Sequence, residues 1–516
     1  MERKWWTLIA VNVSVFMLLL DITVVNTALP AIQEDLEASF TDLQWVVDAY
    51  ALALAAVVLT AGSLADRLGR RRIFVWGLVI FTVASALCGL AGTPTVLNLA
   101  RALQGVGGAA MFGVSLALIA QEFPSGKERG TAVGLYGATI GAAVAIGPLV
   151  GGALTDTLGW ESVFFLNLPI GAAAIVATLL KVRESRDPHA TRVDWAGLVT
   201  FSASLFMLVL ALLRGNAEGW GSPMIVGLLA GAAVLMALFV AIEGKVSEPM
   251  LPLGLFRIRS FTGVQLAAFA ISGSQFALFL YITLYLQNIL GHTPFEAGVR
   301  YLPITIASFV VAPIAGAMLA KVQARVLLSL GLLACGLGLI LLSGVDQGSE
   351  WTALLAGFLV GGAGIGLVNP VIADVALSTV PDEQSGMATG INDTFRQVGV
   401  AVGIAAWGAI FLARGESKVE DLAAGTPAAA GERPRELIEA TSNGNLDQAL
   451  SGVPAPARDV VENAAREGFL SGFNEILVLG GCLSFIGAIL ALWLVRQGDI
   501  RRHDAGSNVA LEPSAA

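Results

Sequence analysis

Gly62-Ser-Leu-Ala-Asp66-Arg67-Leu-Gly69-Arg70-Arg71-Arg72 separates two runs that hold no charged residue, 49–61 and 73–100. A stretch of this kind is a basic hairpin between two membrane spans. Four arginines do not readily cross a bilayer, so the hairpin faces the cytoplasm and fixes the direction of the helices on either side. Gly62 and Gly69 suit helix ends and a tight turn, where a side chain or a negative φ would obstruct the chain. Asp66 stands where it accepts from backbone N–H groups exposed at a helix start, or pairs with a nearby arginine.

The rest of the composition agrees. Of 516 residues, 56% are apolar and 13% charged, with a mean hydropathy of +0.76. Soluble globular chains are not built that way, and the expectation is an all-α polytopic membrane protein. The 59 glycines fit helices packed closely through small residues. A net charge of -9, with basic residues gathered at span ends, gives no sign of nucleic acid as a partner. Cys88, Cys335 and Cys482 lie far apart in apolar runs, and His189, His292 and His503 fall in connecting segments. Neither a disulfide framework nor a metal or cofactor site is expected from them. Met1-Glu2-Arg3-Lys4 opens an apolar run that continues to about Leu29, an uncleaved first helix rather than a signal peptide.

Apolar runs of about 20 residues predict spans near 7–29, 44–65, 73–91, 95–120, 130–153, 162–180, 195–213, 223–243, 261–286, 296–320, 325–343, 352–378, 385–412 and 470–496. Their even number puts both termini on one side. Lys and Arg cluster in the segments that share a side with the hairpin, whereas most of those opposite, Arg414 to Arg466, sit in one long loop before the last span. Long loops weigh little in that rule, so both termini are expected in the cytoplasm. Residues 313–325 repeat the glycine, small-residue and basic-end pattern of 62–71, with Ala320 where Asp66 would align. The loop 413–469, rich in Ala, Gly, Pro and Glu, is expected to be mobile, with one short amphipathic helix near its end.

Several polar residues fall where a membrane helix should be apolar. Asp21 lies mid-span, where an aspartate costs ~2.5–3.5 kcal/mol even on insertion scales. It either exchanges a proton or stays bonded to a neighbouring helix. Asp48, near the outer end of the second span, either binds cationic cargo or is solvated. Arg101, Gln104, Gly105 and Gly108 share one helical face at i, i+3, i+4 and i+7, so that a charge points where another helix can approach closely. On the fifth span, Gly147 and Gly151 permit close packing and Pro148 removes a backbone bond. In the second half, Asn369-Pro370 is expected to break its helix near Asp374, while Asn392, Asp393, Arg396 and Gln397 cluster on another. Asp393 and Arg396 stand at i, i+3, a spacing that lets them neutralise each other. Trp45, Tyr50, Trp160, Phe276, Phe279, Tyr281 and Tyr285 either line an aromatic cavity or anchor span ends.

Four of these stretches carry a family resemblance. G-x-L-A-D-R-x-G-R-R-R at 62–72 resembles the loop between helices 2 and 3 of the major facilitator superfamily. L-D-x-T-x-V-N-x-A-L-P at 20–30 resembles the first helix of its fourteen-helix drug/proton antiporters of EmrB/QacA type. Residues 99–108 resemble the fourth-helix motif, and G-P-x-x-G-G at 147–152 the motif that marks exporters. The resemblance implies the major facilitator fold, two six-helix bundles plus two inserted helices. Its parts would be 1–180, 181–259 carrying the inserted pair, 260–500 with the outer loop 413–469, and a disordered cytoplasmic tail at 501–516. It implies Asp21 and Arg101 in proton coupling, and Gly62, Asp66, Arg67, Gly69, Arg70, Gly147, Pro148, Gly151 and Gly152 in conformational change. Asn26, Asp48, Tyr50, Phe276, Tyr281, Asn369, Asp374 and Asn392 are the candidates for binding cargo.

No G-x-x-x-x-G-K-[ST] stretch occurs, so the chain brings no ATPase of its own, and no H-E-x-x-H or G-x-S-x-G suggests a hydrolase. The expected partners are protons, the lipid bilayer and a small-molecule substrate; the expected activity is proton-coupled export of lipophilic molecules or drugs across the cell membrane, with cationic cargo left open. An uptake symporter, or a channel or scaffold that transports nothing, are the alternatives.

Overall fold

The computed structural model describes residues 2–123, 127–187, 193–246, 248–319, 321–381, 384–424 and 433–500. His189, Ala320, His503 and the tail 501–516 lie outside them. The chain folds into α1 (Arg3–Asp35), α2 (Phe40–Leu68), α3 (Arg70–Gly89), α4 (Pro94–Glu122), α5 (Lys127–Leu158), α6 (Glu161–Lys181), α7 (Trp195–Glu218) and α8 (Pro223–Glu243). The second half supplies α9 (Arg259–Ile289), α10 (Phe295–Met318), α11 (Ala324–Leu342), α12 (Trp351–Ser378), α13 (Ser385–Leu422) and α14 (Ala455–Leu494). Among the described residues, 13 helices are long and apolar enough to cross a membrane. The 32-residue α5 occupies the remaining expected place.

Local sequence explains the ends. Ser39 and Asp42 form a capping box at the start of α2, and Thr93-Pro94 and Ser222-Pro223 open α4 and α8 with a capping hydroxyl followed by a proline that has no N–H to leave unpaired. Gly69, at φ 118°, ends α2 in a conformation that a side chain would resist.

Phe74, Phe81 and Met111 belong to a core drawn mainly from α1–α6. Leu328, Phe358 and Phe473 belong to a second core drawn from α9–α14. Glycines let the two halves meet: a Cβ on Gly62 of α2 would strike the backbone of Gly386 on α13, and one on Gly316 of α10 would strike that of Gly130 on α5. The repeated pattern at 62 and 316 therefore places both of its glycines at such crossings. The inserted α7 lies along the seam of α2 and α13. Leu198, Phe201 and Leu205 pack there with Leu59, Met387 and Ile391, and Thr60 Oγ1 bonds Ser202 Oγ at 2.9 Å. Large apolar side chains such as Trp76, Leu180, Val234, Ile489 and Trp493 face outward, as a surface immersed in lipid requires.

Two expectations give way. The outer loop is largely helical where described: α13 runs on to Leu422 and α14 starts at Ala455, with short helices Arg433–Ser442 and Leu446–Leu450 between them. Val419, Leu437, Ile438, Val461 and Ala465 bury together. Each segment alone contributes too few apolar residues to show a period, but on folding they converge. Pro370 does not break its helix either, since the helix Leu355–Ser378 passes through it. A membrane helix tolerates the missing donor when its neighbours hold the surrounding backbone.

Candidate functional site

Asp21 is sealed at 2% exposure between α1, α3, α4 and α6. Arg101 Nη1 donates to its Oδ2. Its Oδ1 accepts from Gln104 Nε2 and Asn167 Nδ2, both at 2.9 Å. Those two amides also reach Ser85 Oγ, at 3.3 and 3.0 Å, and Ser85 donates to Phe164 O. Arg101 is fixed from behind by Val46 O at 2.9 Å and Gln104 Oε1 at 2.7 Å, with its guanidinium 4.4 Å from the Tyr50 ring centre. The result is a carboxylate whose charge is matched by one cation and whose oxygens are filled by amides, the arrangement that makes a buried pair tolerable.

The helix that carries Asp21 is gripped by α5. A Cβ on Gly147 would run into Thr23, and one on Gly151 into Thr27 and Val24. Gly152 faces open space, and the side chain of Pro148 lies outside the described residues.

A separate pocket, open on one side, lies between α5, α9, α10 and α12. Its walls are mainly apolar and aromatic, with Ile140, Phe276, Phe279, Tyr301 and Ile365, and its polar groups are Thr305, Ser308 and Asn369. Phe276 closes a π-helical turn, Ser272–Phe276, a local widening that turns its ring toward the space. Phe276, Phe279 and Tyr301 meet edge to face at 5.7 and 5.8 Å. An apolar space with a few fixed polar groups suits a lipophilic small molecule. No residue of the Asp21 cluster lines it.

The remaining candidates fall elsewhere. Asp48 faces Arg214 Nη2 at 3.5 Å, and Arg214 also donates to Gln44 Oε1 and lies over the Trp45 ring. Arg214 is buried at 6% exposure near the end of α7. Asn26 is exposed and turns back to Ile22 O. Tyr281 packs on Phe411, Tyr285 stacks on Phe473 and Trp160 donates to Asp35. Asp374 is half-buried, farther along α12 than Asn369. Asp393 and Arg396 are not bonded to one another: Arg396 Nε donates to Asn392 Oδ1 at 3.1 Å and its Nη1 to Asn369 Oδ1 at 3.0 Å, while Asp393 Oδ2 has no hydrogen-bond partner among the described residues.

The hairpin is a junction between halves. Asp66 accepts from Arg70 Nε at 2.9 Å and from the backbone N–H groups of Gly386 and Met387, at 3.0 and 2.7 Å, at the start of α13. Arg67 donates to the carbonyls of Glu248 and Pro249. Ser85, Asn167, Ser115 and Tyr136 went unremarked in the sequence; their only signal is polarity within apolar runs. Tyr136 and Ser115 bond at 2.8 Å.

Comparison with known proteins bears on all of this. The profile of the Major Facilitator Superfamily matches residues 11–404. The chain is similar to a tetracenomycin C resistance and export protein of Streptomyces glaucescens, 35% identical over 95% of this chain and 91% of that protein. It is similar to the multidrug resistance protein Stp of Mycobacterium tuberculosis, 38% identical over 79% and 76%, and to a puromycin resistance protein of Streptomyces alboniger, 37% identical over 78% and 81%. The human organic anion transporter MFSD10 superposes with a TM-score of 0.63 at 13% identity, over 95% of this chain and 100% of that one. At that identity it supports the fold alone.

Proposed function

The chain belongs to the major facilitator superfamily, and from that premise we propose that it exports lipophilic small molecules from the cell in exchange for protons. The observation that carries the reading is the separation of two sites: a sealed carboxylate, Asp21, held by Arg101, Gln104 and Asn167, and an aromatic cavity elsewhere between the halves. Protonating Asp21 removes the charge partner of Arg101 and loosens the bonds that tie α1 to α4 and α6. Because Gly147 and Gly151 press α5 against α1, movement of α1 is passed to a wall of the cavity. The names of the similar proteins, which confer resistance or export antibiotics, favour outward transport.

In this reading the six-helix halves, 1–180 and 260–500, rock about the cavity, and α7 and α8 ride the seam. The protein spans the cell membrane with both termini in the cytoplasm. One charge moving through 100 mV supplies ~2.3 kcal/mol and one pH unit about 1.4 kcal/mol. Together they sustain a gradient of neutral cargo of several hundredfold per proton. The test is Asp21→Asn in proteoliposomes with an imposed pH gradient. Wild type concentrates a neutral lipophilic dye and the variant, inserted at the same level, does not. Equal accumulation by the variant, or by wild type after an uncoupler collapses the gradient, defeats the proposal.

A further inference from the structure

Resting on the reading of the cavity as the cargo site, we propose that its preferred cargo is a lipophilic anion, an apolar body with one carboxylate or phenolate held by Arg396. Asp48, first read as a site for cationic cargo, is occupied by Arg214, and Asp21 by Arg101. Arg396 differs. Its two hydrogen bonds go to amide oxygens, of Asn392 and Asn369, and it has no carboxylate within ion-pair distance among the described residues. Amides orient a guanidinium without cancelling its charge. Asn392 is itself held, since its Nδ2 donates to Gln265 Oε1 at 3.0 Å, which leaves its oxygen turned to Arg396.

The other amide, Asn369, is part of the cavity wall, so the guanidinium stands one hydrogen bond behind the surface that cargo touches. Arg396 is half-buried, whereas Asp393 beside it is sealed at 2% exposure. A ligand in the pocket can displace Asn369 from Arg396, whereas Asp393 is no part of the pocket wall. In a pocket of low dielectric a guanidinium with no carboxylate bonded to it selects for an oxyanion, which its fork matches in two bonds. Phe276 and Phe279 receive the apolar body, with Thr305 and Ser308 as neutral hydroxyls beside it.

The test uses pyrenebutyrate, its neutral amide and pyrenebutylammonium, three probes of one shape. Binding to the full-length protein in nanodiscs is read by energy transfer from tryptophan, with empty nanodiscs subtracted. Wild type should bind the anion at least tenfold more tightly than the cation, with the amide between. Arg396→Gln should bring all three within about twofold, and Arg396→Lys should keep a reduced preference. Equal binding of the three by wild type overturns the proposal, whether or not either variant folds. So does an anion preference that survives in a folded Arg396→Gln protein. Binding without anion preference, together with gradient-driven export of a neutral dye, sinks this inference and leaves the exporter reading standing. Loss of all gradient-driven export sinks the latter instead.

Discussion

Asp66→Ala should part the two halves at the basic hairpin, 62–72. In the folded protein Asp66 fills two N–H groups at the start of α13 and neutralises Arg70, itself 5% exposed. Deleting the carboxylate breaks the buried ion pair with Arg70 and leaves two open donors, a loss of about 3–5 kcal/mol by comparison with other broken buried pairs. Opening the seam returns those groups to water, so most of that penalty acts as a bias toward the opened form. About 3 kcal/mol corresponds to a shift of more than a hundredfold in the equilibrium. Ala388, fully buried where α2, α7 and α13 meet, is a suitable reporter. With Cys482 replaced by serine, Ala388→Cys should react with a membrane-impermeant maleimide added from the cytoplasmic side about a hundred times faster in the Asp66→Ala background. Adding Arg70→Met should recover the part due to the broken ion pair but not the part due to the tie to α13. A labelling rate within twofold of the parent would refute the view that Asp66 holds this seam.

Other consequences can be checked directly. Gly316→Val, and independently Gly62→Val, put side chains into backbones at the half-to-half crossings, and each should lower gradient-driven dye export at least tenfold while membrane insertion is kept. Phe276→Ala should raise the half-saturating cargo concentration roughly three- to tenfold, since a buried ring contributes about 1 kcal/mol or more to an apolar ligand, and leave the maximal rate within twofold. Arg214→Met strands Asp48 beneath the outer surface; thermal unfolding should show a loss of about 1–3 kcal/mol, largely restored by adding Asp48→Leu. Asn167→Leu removes one of the donors to Asp21 and should weaken proton-driven export while leaving binding of a neutral probe in the cavity unchanged, which a spectroscopic titration can separate.

The number and order of the membrane helices were legible in the sequence, because lipid enforces long apolar runs. Asp21 and Arg101 stood out for the same reason: a charge within such a run must find a partner, and each was the other's. What the chain alone left open were contacts between segments remote along it. That Asp48 meets Arg214, that Arg396 bonds Asn369 rather than Asp393, and that Gly62 and Gly316 each cross a glycine of the other half depend on how helices rotate and tilt against one another. The helical outer segment belongs here too, since Val419, Ile438 and Val461 form a core only once three separate helices converge. Hydropathy acts residue by residue and can be read along a line; pairing acts across space, and only the packed helices decide it.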